Sequence, residues 1–157
     1  MANQEFTTHS AAETVALGRK LAAKLQPPKL VVLRGELGAG KTTLVKGIAE
    51  GFEAAAQEQV TSPTFTLIHE YRGPKVNVFH VDLYRVDTER ELETLGLDDL
   101  FDEQSVILIE WGEKFARFGR ERDVEIVLER TGEDERKIVF TAEARRKGIR
   151  AKGKGKR

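Results

Sequence analysis

Between residues 35 and 42 the chain reads Gly-Glu-Leu-Gly-Ala-Gly-Lys-Thr, which fits the phosphate-loop pattern G-x-x-x-x-G-K-[ST]. Gly38 and Gly40, on either side of Ala39, let the backbone curl tightly enough for successive N–H groups to face phosphate oxygens. The positive end of a following helix would reinforce that nest. Lys41 would reach the β and γ phosphates, and the Thr42 hydroxyl would ligate Mg²⁺. The chemistry indicated is binding of ATP or ADP with Mg²⁺. The bland alternative is a glycine-rich turn with an exposed lysine, and the strand before and helix after argue against it.

A phosphate loop also needs acids on neighbouring strands to hold the metal and place a nucleophile. Two stand at the ends of apolar runs: Glu110 after Val106-Ile-Leu-Ile109, and Asp82 in His80-Val-Asp-Leu-Tyr-Arg85. Both fall where open sheets bind ligands, and Glu110 takes the place of the metal-associated acid. The residues leave open which of the two meets Mg²⁺ and which holds the water. A turn-capping Asp82 and a solvated Glu110 are the structural alternatives. Thr61-Ser-Pro-Thr64 could form a switch-like loop sensing the γ phosphate, or a plain proline turn. His69 and His80 read as structural residues. Trp111 reads as packing, placed so that its fluorescence reports on the nucleotide. Arg117, Arg120 and Arg122 suit either an arginine-bearing lid or, by preference, a solvated face.

The elements that must carry these groups follow from periodicity. Ser10-Ala-Ala-Glu13 is a capping signature; Leu17, Leu21 and Leu25 continue a helix that Pro27-Pro28 ends. Lys29 to Arg34 is a buried strand, and a helix runs from Lys41 to about Glu50, stopped at Gly51. The loop at Ser62-Pro63 leads into a strand reaching Tyr71. A strand ending at Asp82 follows too closely to be parallel to it. Thr88 to Leu95 is a short helix closed by Gly96, and Leu97 to Phe101 adds a further turn. Val124 to Leu128 and Lys137 to Thr141 form a hairpin. The expected fold is α/β: a mixed sheet flanked by helices, with the phosphate-loop strand central and antiparallel strands beyond the first helix.

At 157 residues the chain suits one domain. It has no cysteine and three scattered histidines, which disfavours disulfides and zinc. No apolar run approaches a membrane span, and the first ten residues lack a signal core, so a cytoplasmic setting is expected. The balance of 26 basic and 26 acidic residues hides an asymmetry. Residues 145–157 hold eight Lys/Arg and no acid, which leaves residues 1–144 with 18 basic against 26 acidic groups. The expected division is a domain over 1–144 and a disordered basic tail over 145–157. Without aromatic interleaving the tail indicates salt-sensitive phosphate attraction, not a DNA-binding module.

Taken together, Gly35-Glu-Leu-Gly-Ala-Gly-Lys-Thr-Thr-Leu44, Ser62-Pro-Thr-Phe65, His80-Val-Asp-Leu-Tyr-Arg85 and Leu108-Ile-Glu-Trp111 resemble the TsaE (YjeE) family over roughly residues 10–142. That family is the ATPase component of bacterial tRNA threonylcarbamoyladenosine biosynthesis. The resemblance implies a partnership with the threonylcarbamoyl-transferase subunit and its partner paralogue. Their product is N6-threonylcarbamoyladenosine at position 37 of tRNAs reading codons that start with A. ATP hydrolysis would reset the complex between turnovers. The resemblance assigns Lys41, Thr42 and the adjacent Thr43 to phosphates and Mg²⁺, Glu110 to the metal, and Asp82 to the family's acidic motif. It places the segment from Thr8 to Thr14 and Arg136 near the base and phosphates. It does not account for the basic tail. A small-molecule kinase shares these parts but would need an acceptor pocket, and a nucleotide-gated switch would need no catalysis. A GTPase is disfavoured, since the chain has neither Asn-Lys-x-Asp nor Asp-x-x-Gly.

Overall fold

The computed structural model of the chain describes residues 2–36, 38–56 and 68–143. The expected loop at Thr61 to Thr64 and the expected tail over 145–157 lie outside the described residues, as does Leu37. The elements are β1 (Ala2–Thr8), α1 (Ala11–Leu21), β2 (Lys29–Arg34), α2 (Lys41–Gly51), β3 (Ala55–Ala56), β4 (Ile68–Arg72), β5 (Asn77–Asp82), α3 (Glu89–Thr94), α4 (Leu97–Leu100), β6 (Ser105–Glu110), α5 (Ala116–Glu121), β7 (Val124–Arg130) and β8 (Arg136–Ala142). Short 3₁₀ turns follow α1 and β6, at Ala22–Lys24 and Gly112–Lys114.

All eight strands join one sheet in the order β1-β8-β7-β2-β6-β5-β4-β3. The central four are parallel: β2 pairs with β6 and β7, and β6 with β5. The outer pairs, β7–β8, β1–β8, β4–β5 and β3–β4, are antiparallel. The phosphate-loop strand is central, and the β4–β5 pair and the β7–β8 hairpin run as expected. The strand β1 is an addition. Its polar sequence hides it, and its seven residues are held by seven register partners on β8, from Ala2 opposite Ala142 to Thr8 opposite Arg136.

Alternation along the strands divides the core into two layers. Val31 and Leu33 of β2 and Val106 and Leu108 of β6 face α1 and α2, meeting Leu17, Leu21, Leu44 and Ile48. Leu30, Val32, Ile107 and Ile109 face the other way, toward Leu92, Leu97, Phe115 and Phe118. Ser10 caps α1 by accepting from the Glu13 N–H at 3.0 Å. The Glu13 carboxylate reaches one residue further back than a capping box requires, accepting from the His9 N–H at 2.6 Å. In α3 the reciprocal box closes, between Thr88 and Glu91. Among the described residues no helix is long and apolar enough to cross a membrane.

Candidate functional site

Strands β2, β5, β6 and β7 all end on one edge of the sheet, the edge where parallel strands present ligand sites. The loop after β2 turns there, with the Ala39 N–H donating to the Glu36 carbonyl at 2.9 Å. Gly38 and Gly40 have φ of 84° and 100°, a left-handed conformation that glycine adopts without Cβ strain. A Cβ at Gly38 would meet nothing within 4 Å, so this side of the loop borders open space. Gly40 caps α2, and its carbonyl accepts from the Leu44 N–H at 2.9 Å. Beyond it, the Thr42 side chain is exposed and Thr43 half-buried.

Lys41 is buried. Its ammonium donates to the Gly35 carbonyl of its own loop and lies 3.4 Å from Glu110 Oε1. The Trp111 ring covers it, with its centroid 5.1 Å from Nζ. The other Glu110 oxygen lies 2.5 Å from His80 Nε2. Burial by itself would raise the Glu110 pKa; the His80 hydrogen bond and the charges of His80 and Lys41 together outweigh it and hold the carboxyl below its ordinary value. With its side chain 8% exposed, Glu110 is not the solvated carboxylate of the alternative reading.

Asp82 stands opposite Glu110 in the parallel register of β5 and β6. Its Oδ1 accepts from the Tyr84 N–H at 3.0 Å, so it caps the turn after β5 as the structural alternative expected. Turn capping occupies one oxygen and is compatible with a second task for the other. The Leu83 N–H donates to the Glu110 carbonyl at 3.0 Å, fastening that turn to the end of β6. The Tyr84 ring lies 5.1 Å from that of Trp111.

The contact of His80 with Glu110 was missed by sequence reasoning. The available signal was the spacing His80-Val-Asp82, which puts both side chains on one face of a strand. Arg136 is beside the loop, its Nε 3.8 Å from where a Gly40 Cβ would stand, and its guanidinium donates to the Gly132, Glu133 and Glu135 carbonyls. Thr8 pairs with it in register, and the Thr8 and Thr14 hydroxyls bond at 2.7 Å. Of the three arginines of that segment, Arg120 is exposed, while Arg117 and Arg122 are not freely solvated. Arg117 is tied to Asp98 and Glu121, and Arg122 to Glu143.

The donor set suits Mg²⁺ held together with a nucleotide. Among the described residues no group of three or more His, Cys, Asp or Glu is arranged to hold a metal. Thr42 and Glu110 offer hard oxygen donors, and Mg²⁺ takes few protein ligands where phosphates and water complete its octahedron. Beside the loop a cavity of about 670 Å³ is lined by Arg34, Glu36, Trp111, Glu113, Val127 and Arg130, among others.

The chain resembles known proteins in both sequence and fold. The family model described as Threonylcarbamoyl adenosine biosynthesis protein TsaE matches residues 8–138. A Bacillus subtilis (strain 168) protein named tRNA threonylcarbamoyladenosine biosynthesis protein TsaE is 42% identical over 142 residues, covering 90% of this chain and 87% of that protein. A Treponema pallidum protein of the same name is 37% identical over 132 residues, covering 84% of this chain and 96% of that one. The crystal structure of Bacillus subtilis YdiB superposes with a TM-score of 0.71 at 35% identity, over 99% of this chain and 95% of that one. In sequence and in fold, the chain belongs to the TsaE family.

Proposed function

We propose that this protein is the Mg²⁺-dependent, ATP-binding and ATP-hydrolysing component of the machinery that forms N6-threonylcarbamoyladenosine at position 37 of tRNAs reading codons that start with A. The family supports the pathway. The observation that carries the ATPase reading is the apposition of Lys41 and Glu110 at the mouth of the glycine loop, 3.4 Å apart and both buried. Two opposite charges taken out of water are costly to hold together without a third group to serve. Terminal phosphates and their metal are such a group.

On this reading the N–H groups from Gly38 to Thr43 cradle the phosphates, and Lys41 leaves the Gly35 carbonyl to pair with the terminal ones. Thr42 and Glu110 hold Mg²⁺, which when bound offsets the negative charge of the phosphates. Asp82 and Glu110 divide metal binding and the orientation of water, and ADP remains as product. His80 holds Glu110 in its rotamer. The protein works in the cytoplasm with the threonylcarbamoyl-transferase subunit and its partner paralogue, and meets tRNA through that complex. Residues 1–144 form the ATPase domain, with the basic segment 145–157 an accessory to it.

The test is calorimetric binding of Mg-ATP together with product analysis using labelled ATP. Lys41→Ala is expected to abolish tight binding; unchanged affinity would overturn the phosphate-loop assignment. Asp82→Ala with Glu110→Ala is expected to retain binding while slowing hydrolysis by about 10²–10³-fold. Turnover at the parent rate would remove both acids from the mechanism. A labelled second product in place of free phosphate would replace hydrolysis by group transfer.

A further inference from the structure

Lys114 belongs to no motif of the sequence, yet it ties together the two turns that carry the acids. Its ammonium donates to the Leu83 carbonyl at 3.1 Å and the Tyr84 carbonyl at 2.9 Å, and lies 3.4 Å from Asp87 Oδ1. Three donor hydrogens thus meet three acceptors. The Asp87 side chain is 80% exposed, so that contact contributes little, and the two carbonyls are the substantial partners. The Leu83 carbonyl also accepts from the Val86 N–H at 3.0 Å, so the ammonium satisfies an oxygen already used to close the turn.

We propose that Lys114 is a positioning residue that sets how the turn after Asp82 lies against Glu110 and Trp111, and through Trp111 where Lys41 is held. At the other end of this linkage, Trp111 has φ of 66°, a conformation that costs a bulky residue and persists only where its surroundings over-determine it. Two of those surroundings depend on Lys114. The Lys114 N–H donates to the Trp111 carbonyl at 3.3 Å, and its side chain holds the turn whose Tyr84 ring packs on the indole. Tyr84 is 61% exposed, the one large hydrophobic side chain so exposed among the described residues. Core packing therefore does little to keep its ring in place, and the anchored backbone does more.

The consequence for rate rests on the ATPase reading above; the consequence for Trp111 does not. Trp111 is the chain's single tryptophan, so emission from the nucleotide-free protein reports on the surroundings of this one side chain. Lys114→Met keeps the apolar stem and removes the donors. It should shift the emission maximum of a protein that still unfolds cooperatively, and Lys114→Arg should return part of the shift. In steady-state assays Lys114→Met should lower kcat about tenfold with KM for ATP within about twofold of the parent, because orientation is lost and phosphate binding is not. Should Lys114→Met fail to fold, Lys114→Gln, too short to reach both carbonyls, carries the same comparison. Parental emission in a folded variant would overturn the proposal, and so would a raised KM with parental kcat. If the parent itself hydrolyses no ATP, the ATPase reading fails and the emission result alone decides the role of Lys114.

Discussion

The two faces of the sheet are covered in different ways. On one, α1 and α2 are eleven residues each and approach so closely that a Cβ at Gly47 would stand 2.2 Å from the Val15 carbonyl oxygen. On the other, α3, α4 and α5 have six, four and six residues, and loop residues such as Leu83 and Val86 complete the layer. The helix that starts at the phosphate loop belongs to the first face. The turns that follow the two acids belong to the second. Long helices packed backbone to backbone leave little room for adjustment, whereas short pieces joined by turns can each relax on their own. A fixed loop beside turns that can relax is what the ATP cycle proposed above would call for.

The largest test of this contrast is a matched pair of core deletions. Leu44, on α2, and Leu92, on α3, are both buried to within 2%. Leu44→Ala should cost about 4 kcal/mol and Leu92→Ala nearer 2–3 kcal/mol, since the cost of a cavity falls where the surroundings collapse into it. Equal losses in urea unfolding would erase the distinction. Next, Gly47→Ala forces the two long helices apart and should cost about 2 kcal/mol net, overpacking exceeding the gain in helix propensity. A neutral result would show that the first face also yields.

On the second face, Thr88→Ala opens the capping box of α3 and should cost about 1 kcal/mol, visible as faster amide exchange across residues 89–94. The smallest effect is acidic. The Asp87 backbone N–H, and after it that of Thr88, hold the Glu91 carboxyl below its ordinary value. A lowered folded-state pKa contributes stability that is present above the unfolded value and is lost as pH falls through the folded one. As pH falls below the ordinary glutamate value, α3 should therefore fray before α2, and Glu91→Gln should remove that pH dependence. Simultaneous loss of α2 and α3 would count against a separate adjustable layer.

How far the sequence reaches differs across these regions, for physical reasons. Local chemistry was readable: the glycine loop between strand and helix, the Ser10 cap, and the β7–β8 hairpin each depend on neighbours in the chain. The sequence also placed Asp82 and Glu110 at strand ends, where the register now sets them opposite each other. What it hid depends on distant partners. Polar β1 becomes a strand because β8 is beside it, and Phe6 pairs with Ile138, 132 positions further along the chain. The spacing His80-Val-Asp82 fixes the face that His80 shares with Asp82, but its contact with Glu110 also needs the register of β5 on β6. Lys114 is further from view: its partners are backbone carbonyls, which every residue has.

The pairing of β1 with β8 also bears on how the protein can be rewired. Ala2 stands opposite Ala142, at the far end of both strands from Thr8 and Arg136 and hence from the glycine loop. Seven residues at about 3.4 Å each separate that end from the loop by roughly 20 Å. A linker joining residues 2 and 142, with new termini opened at the exposed Glu133–Asp134 turn, would keep every strand pairing of the sheet. In such a circular permutant the chain would start and finish beside Arg136. Handles for immobilisation or labelling could then be moved from the remote end of the sheet to the rim of the candidate site by topology alone.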